Sequence, residues 1–78
     1  MDLQRLIHMA NDIGNFFEPM PDADEARRNI ASHLQRYWEH RMRVEILAYV
    51  DSTGGPELKP IVRDAILAHR AALAGSSS

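Results

Sequence analysis

Four histidines are the side chains best suited to chemistry in this chain of 78 residues, and their spacing does not build a metal site. They are His8, His33, His40 and His69. A metal pair on a helix needs ligands at i and i+4, and no two of these histidines have that spacing. His8 and Asp12 do, but one imidazole and one carboxylate form a weak site, so we interpret them as a surface hydrogen-bonded pair. His33 and His69 border apolar stripes, which is typical of partly buried imidazoles.

Other catalytic and cofactor-binding patterns do not occur in the sequence. The chain has no cysteine, which excludes disulfides, thiolate metal sites and cysteine ligands to an iron–sulfur cluster. Gly54-Gly55 lacks the preceding strand and the following lysine of a phosphate-binding loop, and no serine lies in a nucleophile-elbow sequence. We therefore predict that the chain is not an enzyme and has no catalytic, metal-binding or cofactor-binding residues.

The strongest candidates for binding are large amphipathic residues around a predicted helix junction. They are Tyr37, Trp38, Arg41 and Arg43. Trp, Tyr and Arg dominate the energetics of protein interfaces, and arginines beside aromatic rings suit carboxylates or cation–π contacts. We expect both arginines to be exposed in the free chain, whereas Trp38 either anchors a partner or closes the end of a helical bundle. Met20 lies between two prolines in a short link that can hardly bury it, and is a further candidate contact.

An all-α fold of four helices with short connections is predicted to position these residues. Apolar residues recur at three- and four-residue steps, and no alternation typical of strands occurs. The predicted helices begin after Asp2, after Asp22, near Arg41 and at Pro60, and end near Pro19, Glu39-His40, Asp51 and Gly75. Residues 51–56 are predicted to form a loop. The predicted domain covers residues 1–74, and residues 75–78 are expected to form a frayed tail.

Two expectations concern the packing of the first helix. Gly14 lowers helix propensity and is predicted to permit close packing against another backbone. Phe16 and Phe17, just before the proline-rich link, are expected to fold back onto the apolar face of the second helix.

Size and charge limit the classes of partner. A chain this short buries a small core, so we expect it to be marginally stable when isolated, or to form a homodimer. Residues 2–25 contain six acids and one arginine, whereas residues 27–43 contain five arginines and one glutamate. Lysine is nearly absent and the acidic half would repel phosphate, so nucleic acid is not a predicted partner. No segment resembles a signal peptide or a bilayer-spanning helix, which favours a cytoplasmic protein without membrane contact.

Short matches in order along nearly the whole chain resemble the delta subunit of NAD-dependent formate dehydrogenases. They are Met9-Ala10-Asn11, Ile13-Gly14, Phe16-Phe17, Pro21-Asp22, Ile30-Ala31-Ser32-His33-Leu34, Arg36-Tyr37-Trp38, Arg41-Met42-Arg43 and Pro60-Ile61-Val62-Arg63-Asp64-Ala65. No single match is specific, but their joint order is. The chain departs from the usual pattern of this family at two positions. Tyr37 stands where a Phe usually precedes the Trp, and His40 stands where a Pro often precedes the Arg-Met-Arg.

The resemblance implies a noncatalytic accessory subunit of a molybdenum- or tungsten-containing complex. In such complexes the alpha subunit carries bis-molybdopterin guanine dinucleotide and iron–sulfur clusters, and other subunits carry FMN, bind NAD and hold further clusters. The alpha subunit is the implied partner, which the delta subunit would stabilise or help to assemble. Two alternatives remain at this point: a transient assembly chaperone for the catalytic subunit, and an unrelated small helical regulatory or DNA-binding module.

Overall fold

Every regular element in the computed structural model, which describes residues 2–75, is an α-helix. The helices are α1 (Leu3–Phe17), α2 (Ala23–Tyr37), α3 (His40–Thr53), α4 (Pro60–Ala68) and α5 (Arg70–Ala74). The all-α fold class is therefore confirmed. Residues 76–78 of the predicted frayed tail lie outside the described residues.

Local capping explains where α1 and α2 begin. The side chain of Asp2 accepts a hydrogen bond from the Gln4 amide at 3.2 Å. Asp22 accepts from the amides of Asp24 and Glu25 at 2.9 and 3.3 Å, as predicted from its position. These carboxylates satisfy amides that have no partner within the helix. The predicted break after α2 is also present, because Trp38 and Glu39 both have extended backbone.

The third helix is longer than predicted. It continues past Asp51 to Thr53, whose hydroxyl donates to the Tyr49 carbonyl at 2.7 Å. Gly54 then ends the helix with a left-handed φ of 84°, a conformation that glycine adopts without steric cost. The predicted loop is therefore shorter and begins at Gly54, since a side-chain hydrogen bond holds the last turn in helical form.

The predicted fourth helix is divided in two. At His69 the backbone leaves the helical region, with φ −116° and ψ 26°, and α5 follows. No glycine or proline marks this position in the sequence. The change of direction places Leu73 in the core with 1% of its surface exposed. It also lets Arg70 contact Asp51 of α3.

All five helices contribute to one core. Helix α2 packs against α1, α4 and α5, and α3 packs against α1 and α5. The side chains with almost no exposed surface are Leu6, Ile30, Leu34, Ile46, Val62, Ile66 and Leu73. Within a single helix, Ile30 and Leu34 are four residues apart, as are Val62 and Ile66, and this is the helical spacing from which the core was predicted.

The loop between α3 and α4 is attached to α1 by polar contacts. Asn11 donates through Nδ2 to the Glu57 carbonyl at 2.9 Å, and its Oδ1 accepts from the Lys59 amide at 2.8 Å. The Tyr49 hydroxyl accepts from the Glu57 amide at 2.9 Å. We call this region, comprising Asn11, Gly14, Tyr49 and residues 54–59, the closed corner.

Gly14 permits the close approach of α1 to α4 at the closed corner. A Cβ atom placed on Gly14 would lie 2.4 Å from Cγ2 of Val62, which is closer than real Cβ atoms come to a neighbour. The expected close packing at Gly14 is confirmed, although its partner is a side chain rather than backbone.

Candidate partner-binding surface

The five predicted contact residues divide into an inward and an outward group. Trp38 and Arg43 are each only 5% exposed. Tyr37 is 69% exposed, Arg41 is exposed, and Met20 is half-buried. Adjacent residues at one helix junction therefore have opposite surroundings. Their role in partner binding stays a prediction.

Arg43 is buried, so the expectation that it is solvent-exposed is wrong. Its Nη1 donates to the carbonyls of Gln35 and Trp38 at 2.7 and 3.3 Å. Carbonyls in the last turn of a helix have no partner within that helix, and a cation there is also favourable to the helix dipole. Arg43, one turn into α3, supplies donors for the end of α2. Its buried Nε has no hydrogen-bond partner among residues 2–75.

Trp38 is a member of the hydrophobic core. Its ring packs in the same cluster as Leu34 and Ile46. The C-cap conformation at Trp38 directs the chain away from α2, while its amide still donates to the Leu34 carbonyl at 3.0 Å. This packing is the arrangement expected of a residue that closes the end of a bundle.

An open apolar cavity of about 310 Å³ lies between the C-terminal half of α1 and the middle of α2. It is lined by Asp12, Ile13, Phe16, Phe17 and His33, and we call it the aromatic groove. The Phe16 and Phe17 rings meet edge to face with centroids 4.9 Å apart. Phe17 also lies edge-on to the His33 ring at 6.4 Å. Phe17 thus folds back toward α2 as predicted, but Phe16 does not and is 76% exposed.

Two of the predicted contact residues extend the groove along α2. The Tyr37 ring lies 4.7 Å from that of His33. At the other end, Nδ2 of Asn29 contacts the Met20 sulfur at 3.4 Å, one helical turn before His33. Met20 and Tyr37 therefore lie on the same side of α2 as the groove.

The charged groups around the groove are unequally paired. Asp12 Oδ2 lies 3.4 Å from His8 Nε2, which is the predicted surface contact, and Glu18 pairs with Lys59 at 3.3 Å. In contrast, Arg36 and Arg41 are exposed and form no ion pair with any carboxylate in residues 2–75. Arg36 lies three residues after His33 on α2, Arg41 belongs to α3, and Asp12 is a carboxylate in the lining of the groove itself.

Sequence reasoning did not identify the groove as a site. It placed Phe16 and Phe17 in the packing of α1, and His33 at the edge of an apolar stripe. The signal that could have indicated the groove was the pair of phenylalanines directly before a proline-rich link. Two adjacent rings at the end of a helix cannot both be covered by the core. Asn11 was also missed, since nothing local indicates that its amide reaches residues 46 and 48 positions away.

Neither a metal cluster nor a membrane-spanning helix is found in the described part of the chain. No group of three or more His, Cys, Asp or Glu side chains among residues 2–75 is arranged to hold a metal ion. Over the same range, no helix combines the length and hydropathy needed to cross a bilayer.

The fold and the surface together define a small all-α protein with a closed core and an open aromatic groove. A family model described as the NADH-dependent formate dehydrogenase delta subunit FdsD matches residues 5–66. The chain belongs to this family and is a delta subunit of NAD-dependent formate dehydrogenase. No curated protein and no solved structure matches the chain. Membership of the family decides against an unrelated helical module.

Proposed function

We propose that this delta subunit is a noncatalytic, cytoplasmic component that stabilises the cofactor-bearing alpha subunit of the complex by protein contact. The carrying observation is the aromatic groove, where Phe16 and Tyr37 are 76% and 69% exposed although the core is closed. An aromatic side chain can bury roughly 150–250 Å², so leaving two in water is unfavourable unless a partner covers them. Family membership supports a partner within the formate dehydrogenase complex.

The proposed mechanism is a gain in stability by mass action. A ligand that binds only the folded, cofactor-loaded form of a protein stabilises that form by RT ln(1 + [L]/Kd). In this proposal the redox groups, namely bis-molybdopterin guanine dinucleotide, iron–sulfur clusters and FMN, belong to other subunits. Residues of this chain contribute contact surface and hold none of these groups.

Expression of the complex with and without this chain tests the proposal. The catalytic subunit is purified by affinity tag, and its subunit stoichiometry, metal and cofactor content and inactivation half-life are measured. We expect the delta subunit to co-purify at fixed stoichiometry with active enzyme, and its omission to shorten the half-life or lower the cofactor content. Active, fully loaded enzyme that lacks the chain, with the chain bound only to immature subunit, would indicate a transient chaperone instead.

A further inference from the structure

We propose that the free chain forms a two-fold symmetric dimer in which Phe16 of each copy enters the aromatic groove of the other. This inference goes beyond the proposed function, because it concerns the chain outside any complex and does not depend on which subunit the chain contacts there. It assigns to the dimer both its contact surface and the direction of its symmetry axis. The shape of the groove supports the first, and the charges of its two walls support the second.

The groove combines a projecting ring with a hollow of matching character. Phe16 is 76% exposed in the C-terminal half of α1, and the cavity that it borders has a volume of about 310 Å³ and mainly apolar, aromatic walls. In a two-fold symmetric interface both copies present the same patch, so a projection and a hollow within one patch can fill each other twice. Phe17 and His33, which already meet edge to face, supply ring surfaces against which the incoming Phe16 can pack.

Other exposed apolar side chains do not belong to this patch. Val44 and Leu67 are 45% and 51% exposed, but they lie on α3 and α4 and do not line the groove. Single exposed apolar side chains are ordinary on a protein surface. Phe16 and Tyr37 differ from them, because a chain of ring contacts along the groove connects the two. The aromatic groove is therefore the apolar surface best suited to self-association.

The two walls of the groove carry opposite charges. On α1, the Asp12 side chain is 63% exposed, and its ionic contact within the chain is His8 Nε2 at 3.4 Å, which is charged only when the imidazole is protonated. On α2, Arg36 is exposed, follows His33 by three residues and forms no ion pair with a carboxylate of residues 2–75. Each copy therefore brings one available acid and one available base to the same patch.

These charges select between two limiting directions of the symmetry axis. An axis along the groove places α1 of each copy opposite α2 of the other, so that Asp12 faces Arg36 twice. An axis across the groove places α1 opposite α1, which brings like charges together and is unfavourable. The first arrangement also fits the hairpin of α1 and α2. Asp12 precedes Phe17 and Arg36 follows His33, so both lie beyond this ring contact, away from the connecting residues 18–22.

The contact is of a size that gives a weak dimer. Phe16 and Tyr37 keep most of their surface exposed in the free chain, and two aromatic side chains can bury roughly 300–500 Å² per copy. This area is at the low end of specific interfaces. We therefore expect a dissociation constant in the upper micromolar range, so that the dimer predominates only in concentrated solution.

Sedimentation equilibrium of the full chain tests the contact surface. The wild type should pass from monomer to dimer as its concentration rises through the micromolar range. Phe16→Ala should raise the dissociation constant roughly thirtyfold or more, since each dimer contains this ring twice. Leu67→Ala is the matched control, because it also removes an exposed apolar side chain but lies outside the groove, and it should dimerise like the wild type. Circular dichroism should show unchanged helicity in both variants.

An exchange of charges tests the direction of the axis. Asp12→Lys makes both walls positive and Arg36→Glu makes both walls negative, so each variant alone should dimerise roughly tenfold more weakly than the wild type. An equimolar mixture of the two should regain the dimer, because the positive walls of one variant then face the negative walls of the other. Arg28→Glu is the matched control for net charge, since Arg28 is exposed on α2 outside the groove, and it should dimerise like the wild type.

Each outcome decides one part of the inference. A wild-type chain that stays monomeric at millimolar concentration would overturn it, and loss of Phe16→Ala from the assembled complex would then make a larger subunit the occupant of the groove. A dimer that Phe16→Ala leaves intact would overturn the groove as the contact. A mixture of Asp12→Lys and Arg36→Glu that stays monomeric would overturn the pairing of α1 with α2. Co-purification with the catalytic subunit tests the proposed function separately, and its failure would leave the dimer unaffected.

Discussion

The closed corner and the aromatic groove are built by the same helix, and they use it in opposite ways. At the closed corner, Asn11 hydrogen-bonds both a carbonyl and an amide of the loop. Gly14 lets α4 approach so closely that Val62 leaves no room for a Cβ atom. At the groove, on another side of α1, Ile13 and Phe16 line open space. Polar and steric complementarity is complete within the chain at the first region. At the second region, the side chains of the described residues leave the space open.

This difference indicates how a chain of 78 residues can fold and still leave aromatic side chains exposed. A small domain has a small free energy of unfolding, so each apolar side chain that lies outside its core reduces a narrow margin of stability. Here α1 contributes both to the packed closed corner and to the open groove. Its 3.6-residue period places residues 11 and 14 on a different side from residues 12, 13 and 16. The predictions below test whether the two kinds of region respond to substitution as differently as this arrangement requires.

The largest contrast is expected between Trp38 and its neighbour Tyr37. Trp38→Ala removes a core ring and should lower the free energy of unfolding by about 3–5 kcal/mol, enough to unfold much of the free chain. Tyr37→Ala removes an exposed ring and should change stability by less than about 0.5 kcal/mol. Urea unfolding followed by circular dichroism measures both. A large loss of stability in Tyr37→Ala would show that the groove side of α2 serves the fold.

Substitution of the two arginines of α3, Arg41 and Arg43, should also affect stability to very different extents. Arg43→Met keeps the apolar stem but leaves the carbonyls of Gln35 and Trp38 without their donor, which should cost about 1–3 kcal/mol. Arg41→Met changes an exposed, unpaired side chain and should have almost no effect on stability. Thermal unfolding of the two variants in parallel is the measurement. Equal melting temperatures would mean that the end of α2 does not depend on Arg43.

Gly14→Ala tests the fit of the closed corner. Alanine raises helix propensity by up to about 1 kcal/mol, but its Cβ would overlap Val62, which is fully buried and β-branched, so it cannot easily move aside. Overpacking should dominate and destabilise the chain by about 1–3 kcal/mol. Gly75→Ala is the control, because the nearest atom to its Cβ is the Ala71 carbonyl oxygen at 3.4 Å. A stabilised Gly14→Ala variant in urea unfolding would contradict the tight contact.

Asn11→Ala tests the polar half of the same corner. The substitution leaves the Glu57 carbonyl and the Lys59 amide without their side-chain partner, and should cost about 1–2 kcal/mol. Asn15→Ala, one turn later and exposed, is the matched control and should be nearly neutral. Hydrogen exchange of the Lys59 amide should also accelerate in Asn11→Ala only. Unchanged exchange at Lys59 would show that Asn11 does not hold the loop.

The smallest effect is expected at the exposed contact between α3 and α5. Hydrogen bonding from Arg70 lowers the pKa of the Asp51 carboxyl below 3.8, and its charge acts in the same direction. A depressed carboxyl pKa contributes stability above the unfolded value, and this contribution is lost as pH falls through the folded value. The loss should therefore occur below pH 3.8. An NMR titration of Asp51 should show its pKa rising in Arg70→Gln, and an unchanged pKa would contradict the contact.

Local sequence signals were sufficient for the elements whose ends depend on nearby residues. The caps at Asp2 and Asp22, the break after α2 and the start of α4 at Pro60 each follow from groups within a few positions. The end of α3 and the break at His69 were not predicted correctly. The first depends on hydroxyls of Ser52 and Thr53 that bond back to Tyr49, and the second accompanies the burial of Leu73.

The sequence by itself determined the all-α class, the helical stripes that form the core and the family to which the chain belongs. Periodicity, caps and ordered motifs are properties of the chain as written, and they do not depend on which helices meet. Only the tertiary structure decided that Trp38 and Arg43 turn inward while Tyr37 and Phe16 remain in solvent. The physical reason is that burial depends on what lies opposite a side chain. A helix junction directs neighbouring residues to different sides, and the positions of α1, α3 and α5 determine which side is covered.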